Sequence, residues 1–224
     1  MTALAKPEKL DLAKLRPEAF KAGTDPALVT IEPAYYLVLN GQGDPNEPSG
    51  CFQKAIAALY SVAYPLKMLY KARGMDYKMP ALEALWWSYG TFGDESRDLT
   101  NLGPDWRWKA MLMVPDYIQP EDVEAVRAAQ LHKKGLESIA KIELELVEEG
   151  LCVQVMHIGP YADEPKTIRA MRRLMEDAGL RACGLHHEVY FGDPRRTAPE
   201  KLKTLLRQPV SRIEEDCQGE VTEF

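Results

Sequence analysis

Apolar residues along this chain recur with two periods, and the switches between them mark out the elements. Residues 34–39 (AYYLVL) form a compact aromatic and branched run that predicts a strand, ended by Asn40-Gly41-Gln42-Gly43-Asp44-Pro45-Asn46, a dense turn signal. From Phe52 the spacing becomes helical: Phe52, Ile56, Leu59, Ala63, Leu66 and Tyr70 make one stripe, and Gly74 is its stop. Pro65 lies inside that stripe and predicts a kink, because proline has no backbone N–H and its ring crowds the preceding turn. Residues 80–87 (PALEALWW) predict a strand, a charged loop follows at 93–103, and 106–114 (WRWKAMLMV) alternate as a half-buried strand.

Pro120 opens another helix, with Glu121 and Asp122 in the first turn and His132, Lys133 and Lys134 in the last, charges that suit the helix dipole. Residues 138–147 alternate and fit a strand or a continuing helix. The first pattern then returns. Residues 151–158 (LCVQVMHI) read as a strand and Gly159-Pro160-Tyr161 as its turn. Asp163 or Glu164 is placed to cap a helix with Pro165 in its first turn, Ile168, Met171, Met175 and Ala178 as its stripe and Gly179 as its end. Residues 185–191 (LHHEVYF) and 202–210 predict two more strands around the turn Asp193-Pro194-Arg195-Arg196. The order strand, glycine turn, helix, strand, strand thus occurs twice, over about 34–118 and 151–213, which points to an internal duplication. The expected fold is α+β, with two antiparallel sheets, a helix outside each and a central cleft. Residues 1–30 read as a polar lead-in with a short helix near 9–15, residues 31–213 as a single domain of two half-repeats and 214–224 as an acidic tail.

Composition narrows the function classes. The 224 residues carry 28 Lys+Arg against 34 Asp+Glu, a net charge of −6, where a nucleic-acid module would show a basic surplus. Five of the acids lie in the last eleven residues, which hold no Lys or Arg, so most of the surplus belongs to the tail. No apolar run approaches the ~18 residues of a membrane span, and the start of the chain is too interrupted for a secretory signal. Cys51, Cys152, Cys183 and Cys217 form no CxxC pair and suggest free thiols in a reducing cytoplasm, with paired disulfides the other reading. No dinucleotide fingerprint, GxSxG elbow or phosphate loop is present, so neither a cofactor nor a metal is expected.

The candidate chemistry lies on strand faces. In residues 185–191, His186, Glu188 and Tyr190 share one face while His187, Val189 and Phe191 share the other. If the first face is inward, a carboxylate stands beside a phenol and an imidazole; otherwise Glu188 faces solvent. In residues 82–87, Glu83, Leu85 and Trp87 share a face and Ala84 and Trp86 the opposite one. Glu83 and Glu188 occupy corresponding strands, a placement that allows either a carboxylate pair facing across the cleft or one exposed and one structural glutamate, and the sequence leaves open which face Glu83 takes. Trp86, Trp87 and Trp108 offer aromatic walls suited to flat cationic molecules, core packing being the alternative. Tyr161, at a strand end, is placed either to overhang the cleft or to sit in a loop.

These stretches resemble the GyrI-like small-molecule-binding family from about Lys9 to Val210. The resemblance rests on NGQGDPN (40–46), a helix ending in KARGMDY (71–77), ALEALWW (81–87), WRWKAMLMVPDYI (106–118), EGLCVQVMHIGPY (149–161) and HHEVYFGDPRR (186–196). It implies a duplicated βαββ (SHS2-type) pseudo-twofold domain that binds amphipathic, cationic or aromatic compounds in a central cleft. Glu188 matches the family's pocket acid; Trp87, Tyr190 and Tyr161 match its aromatic lining, joined by His186, Trp86 and Trp108, and Glu83 is a second carboxylate. Some stand-alone relatives hydrolyse cyclopropane-bearing alkylating compounds, which implies catalytic roles for Glu188, Glu83 and Tyr161, with Glu188 positioning or deprotonating water. The chain departs from the pattern at Ala84, where glycine is commoner, and at Pro65. No fused DNA-binding module, direct nucleic-acid contact or membrane partner is expected. Three functions stay open: a binding module for cationic aromatic compounds, a hydrolase of strained electrophiles and an accessory interaction protein.

Overall fold

The segments of period two hydrogen-bond into one sheet in the computed structural model, which describes residues 9–87 and 106–214. Its strands are β1 (Ala27–Ile31), β2 (Ala34–Gln42), β3 (Leu82–Trp87), β4 (Arg107–Met113), β5 (Glu143–Val147), β6 (Gly150–Ile158), β7 (Leu180–Ala182), β8 (His186–Tyr190) and β9 (Lys203–Arg212). Their order is β1-β6-β9-β8-β3-β4-β2-β5, with β7 alongside β9, and every pairing is antiparallel. The expected two sheets are therefore one. The halves fuse where β3 pairs with β8, because both strands present unpaired inner edges that only each other can satisfy. Outward from that seam, the order is β3, β4, β2 on one side and β8, β9, β6 on the other.

Two helices cover one face of the sheet. α3 (Cys51–Ala72) rests on β2 and β4, and α5 (Glu164–Asp177) on β6 and β7, leaving the β3–β8 seam between them. The α3 stripe is buried at Phe52, Leu59, Ala63, Leu66 and Tyr70, against Leu37, Leu39, Ala84, Ala110 and Leu112. The helix continues through Pro65 to Ala72, held by this packing. α4 (Pro120–Lys134) packs on α3 and ends at Gly135, whose φ of +64° suits glycine.

The opposite face is covered by residues of the polar lead-in, which packs rather than merely preceding the domain. α1 (Leu12–Leu15) and α2 (Pro17–Phe20) place Leu12, Ala19 and Phe20 against Tyr36, Leu85, Met111, Val189 and Leu205, and β1 then joins the sheet edge on β6. The turn expected at residues 40–46 begins later than its glycines suggested. β2 runs through Asn40, Gly41 and Gln42, which pair with Lys109, Trp108 and Arg107. Gly41 is needed there for space: a Cβ would lie 2.1 Å from the Trp108 ring, which spreads across β2 at that point. Residues 138–147 divide into a short 3-10 turn (Glu137–Lys141) and β5. The charged loop at 93–103 and most of the acidic tail, Cys217 included, lie outside the described residues. Among the described residues, no helix is long and apolar enough to cross a membrane.

Candidate functional site

The register of the seam decides which groups share a face. Ala84 lies opposite Glu188, Leu82 opposite Tyr190 and Trp86 opposite His186, so these six side chains point to the helix-covered face. Glu83, Leu85, His187 and Val189 point to the other. Parity within β8 grouped His186, Glu188 and Tyr190 as expected, and the face they share is the one that the two helices flank.

Glu188 is the centre of that group. Its side chain keeps 14% exposure, in contact with solvent but largely enclosed. The Tyr190 hydroxyl donates to Glu188 Oε2 at 2.7 Å and accepts from Trp86 Nε1 at 2.8 Å, so indole, phenol and carboxylate form one chain across the seam. His186 Nε2 approaches Glu188 Oε1 at 3.4 Å. Tyr161, in the 3-10 turn before α5, meets the Tyr190 ring edge-on at 6.1 Å. Burial, with Glu188 nearby, raises both phenols: Tyr161 to about 12 and Tyr190 well above its ordinary value. Both keep their protons at neutral pH, and the Tyr190 hydroxyl donates its own to Glu188.

A second carboxyl stands on this face. Glu164 opens α5 with only 7% exposure, and it makes no side-chain cap. Burial, and then the charge of Glu188, push its carboxyl up to about 9, so it is the neutral acid at pH 7. The sequence presented it as a helix-capping candidate, and a first-turn glutamate is ordinarily solvated; nothing in the pattern marked it as inward.

Three expected site residues sit elsewhere. Glu83 is fully buried on the opposite face, with Tyr36 OH 3.4 Å and His187 Nε2 3.1 Å from its Oε2, and it does not face Glu188. Trp87 shares that face by strand alternation and packs at the margin of the α1–α2 core. Trp108 is on the helix side but is sealed under α3, edge-on to Phe52 at 5.1 Å, as a core residue. Trp86 is nearly as buried, touching Phe52 at 4.9 Å and Trp106 at 5.2 Å, and reaches the seam through its N–H.

Around Glu83 lies a buried charge network that the sequence did not reveal. His187 Nδ1 is 2.9 Å from Glu149 Oε1, and Arg207 Nη1 donates to Glu149 Oε2 at 2.6 Å. Arg207 Nε donates to Gln154 Oε1 at 2.7 Å and its Nη2 to the Ala19 carbonyl at 2.6 Å. Burial opposes the charge on Glu149, but His187 and Arg207 outweigh it and lower the carboxyl to about 2. Burial likewise opposes the His187 charge, and Glu149 with Glu83 reverses it, so the imidazole is raised. The network is closed to solvent and behaves as a structural ion cluster. Among the described residues, no three His, Cys, Asp or Glu side chains are grouped to hold a metal ion.

The model of the GyrI-like small molecule binding domain matches residues 24–211. A solved structure of an uncharacterized conserved protein from Listeria innocua is 34% identical, covers 91% of this chain and 100% of its own, and superposes with a TM-score of 0.81. A hydrolase from the same organism is 35% identical over the same shares, with a TM-score of 0.78. The EcmrR C-terminal domain, 13% identical over 84% of this chain and 98% of its own, has a TM-score of 0.52 and shares the fold. No curated protein matches the sequence.

Proposed function

The chain belongs to the GyrI-like family of small-molecule-binding domains, and from that premise we propose that it binds amphipathic cationic or aromatic molecules at the β3–β8 seam. The observation that carries this reading is the Glu188 carboxylate, partly open at 14% exposure between two helices, with Tyr190, Tyr161 and Trp86 around it. A carboxylate beside aromatic faces attracts a flat cation by charge, stacking and cation–π contact together. With few directional groups, such a site accepts many ligands, as a multidrug binder does. The same reading takes the halves as copies of one βαββ unit, consistent with the strand order on either side of the seam. The test is the affinity of a rhodamine dye, measured by fluorescence anisotropy. Glu188→Gln keeps the shape and removes the charge, and about a tenfold loss is expected, the size of one charge-assisted contact. Unchanged affinity rejects the reading.

A second reading is favoured by the 35% identity to a protein described as a hydrolase. Here Glu188 positions or deprotonates a water that opens a cyclopropane-bearing electrophile, while Tyr161 donates to the substrate's conjugated carbonyl and Tyr190, whose hydroxyl donates to Glu188, orients that carboxylate. Mass spectrometry of a cyclopropanoid compound decides it. Catalysis gives multiple turnovers to a product heavier by one water, lost in Glu188→Gln; stoichiometric binding of unchanged compound defeats it.

A further inference from the structure

Among the described residues, Glu164 is the one buried carboxyl on the seam face that neither reading uses. It is more than nine-tenths buried beside the Thr204 hydroxyl, yet neither its Oε1 nor Thr204 Oγ1 has a hydrogen-bond partner of normal geometry among the described residues. An orphaned buried polar atom costs about 1–3 kcal/mol, so a site that keeps one gains from a ligand that satisfies it. Glu188 and Tyr190 of β8 and Tyr161 of the preceding turn all interact electrostatically with this carboxyl. We propose that Glu164 is a second ligand contact of the cleft, its free oxygen meeting a carbonyl or ether acceptor on the ligand while Glu188 meets the cation.

The inference rests on the binding reading above and specifies its ligand class: a flat monocation with a hydrogen-bond acceptor beside the charge. Two carboxylates at one cleft would favour dications. Here Glu188 makes its neighbour costly to ionise, and the neutral acid has an O–H to donate. The charge recruits the ligand, and the O–H distinguishes among cations.

Two quaternary probes separate these roles, 1-methylquinolinium and 3-acetyl-1-methylquinolinium, which differ by one carbonyl and hold their charge at every pH. Affinities come from isothermal titration calorimetry of the full chain. Wild-type protein is expected to prefer the acetyl probe about fivefold, the worth of one hydrogen bond. Glu164→Gln, whose amide still donates, keeps the preference. Glu164→Leu abolishes it while binding the parent probe within about twofold of wild type. A preference that survives Glu164→Leu, or equal weakening of both probes in Glu164→Gln, overturns the proposal. If Glu164→Leu does not fold, pH supplies the same test. Between pH 7 and pH 10 the preference is lost in wild type as Glu164 ionises but persists in Glu164→Gln; parallel behaviour of the two overturns it. The other titratable groups that interact with Glu164 are Glu188 and Tyr190 on β8 and Tyr161 in the turn; these, with His186 on β8 and His157 on β6, the strand α5 packs on, are common to both proteins. The binding reading fails separately, if neither probe binds wild type or Glu188→Gln binds the parent probe unchanged.

Discussion

Glu83 stands one residue before Ala84, the register partner of Glu188, and that single step puts the two carboxyls on opposite faces of the sheet. Their roles divide accordingly. Glu83→Gln removes a charge from the buried network beside His187 and is expected to cost about 3 kcal/mol, as breaking a buried ion pair does. Urea denaturation measures this. Dye affinity of the folded variant should stay within about twofold of wild type, since the network does not reach the seam face. A large affinity loss with unchanged stability would contradict the division.

Stability should fall as pH rises through the neutral and alkaline range. His187 is raised above its ordinary value and Glu164 to about 9, so the native state holds protons that the unfolded chain has released. With fewer protons on the unfolded chain, the slope of unfolding free energy against pH is negative. The His187 contribution is complete below about pH 6.5 and is lost as pH climbs through its raised value. The depressed Glu149 acts at the other end: its contribution is present above its ordinary carboxyl range and disappears as pH falls toward about 2. Thermal melts from pH 3 to pH 10 should therefore peak in the mildly acidic range.

Glu164→Gln should stabilise the protein at pH 8 and leave it nearly unchanged at pH 4. The unfolded chain favours an ionised carboxyl at pH 8 that the native site must protonate, and glutamine has no such cost. A gain of roughly 1–3 kcal/mol is expected, the range for relieving a buried polar group. Equal melting temperatures of variant and wild type at pH 8 would refute it.

Tyr190→Phe should weaken dye binding several-fold and lower stability by about 1–2 kcal/mol. The hydroxyl both orients Glu188 and satisfies the Trp86 N–H, so its loss leaves one group loose and the other without its partner. Anisotropy titration and intrinsic tryptophan fluorescence report the two effects; an unaltered emission spectrum would mean that the indole contact is absent.

Gly41→Ala should destabilise the protein by about 1–3 kcal/mol, the usual cost of overpacking. The added methyl meets the Trp108 ring rather than the flexible end of a side chain. A variant as stable as wild type would show that the ring moves freely.

The long helix was legible because its stripe of six apolar residues follows one period, and tertiary packing agreed with it even across Pro65. The grouping of His186, Glu188 and Tyr190 was legible because alternation within a strand is local. The face taken by Glu83 and Trp87 was not legible, because alternation says which residues share a face, while the register of a partner more than a hundred residues away says which face that is. β1 and β7 escaped notice because one lies in a lead-in broken by prolines and the other has three residues. Glu149, Gln154 and Arg207 come from β6, its approach and β9; no local pattern joins them.

The hydrogen bond from Arg207 to the Ala19 carbonyl bears on where this domain can be cut. The family match begins at residue 24, after α1 and α2. A fragment trimmed to that boundary would keep every β-strand yet uncover Arg207, and Gln154 would lose the Glu18 and Lys21 carbonyls. Water would then reach a cluster whose charges are arranged for its exclusion. The shortest piece that behaves as the whole domain therefore starts upstream of Leu12, and a recombinant fragment designed from the family boundary alone would be open at its back.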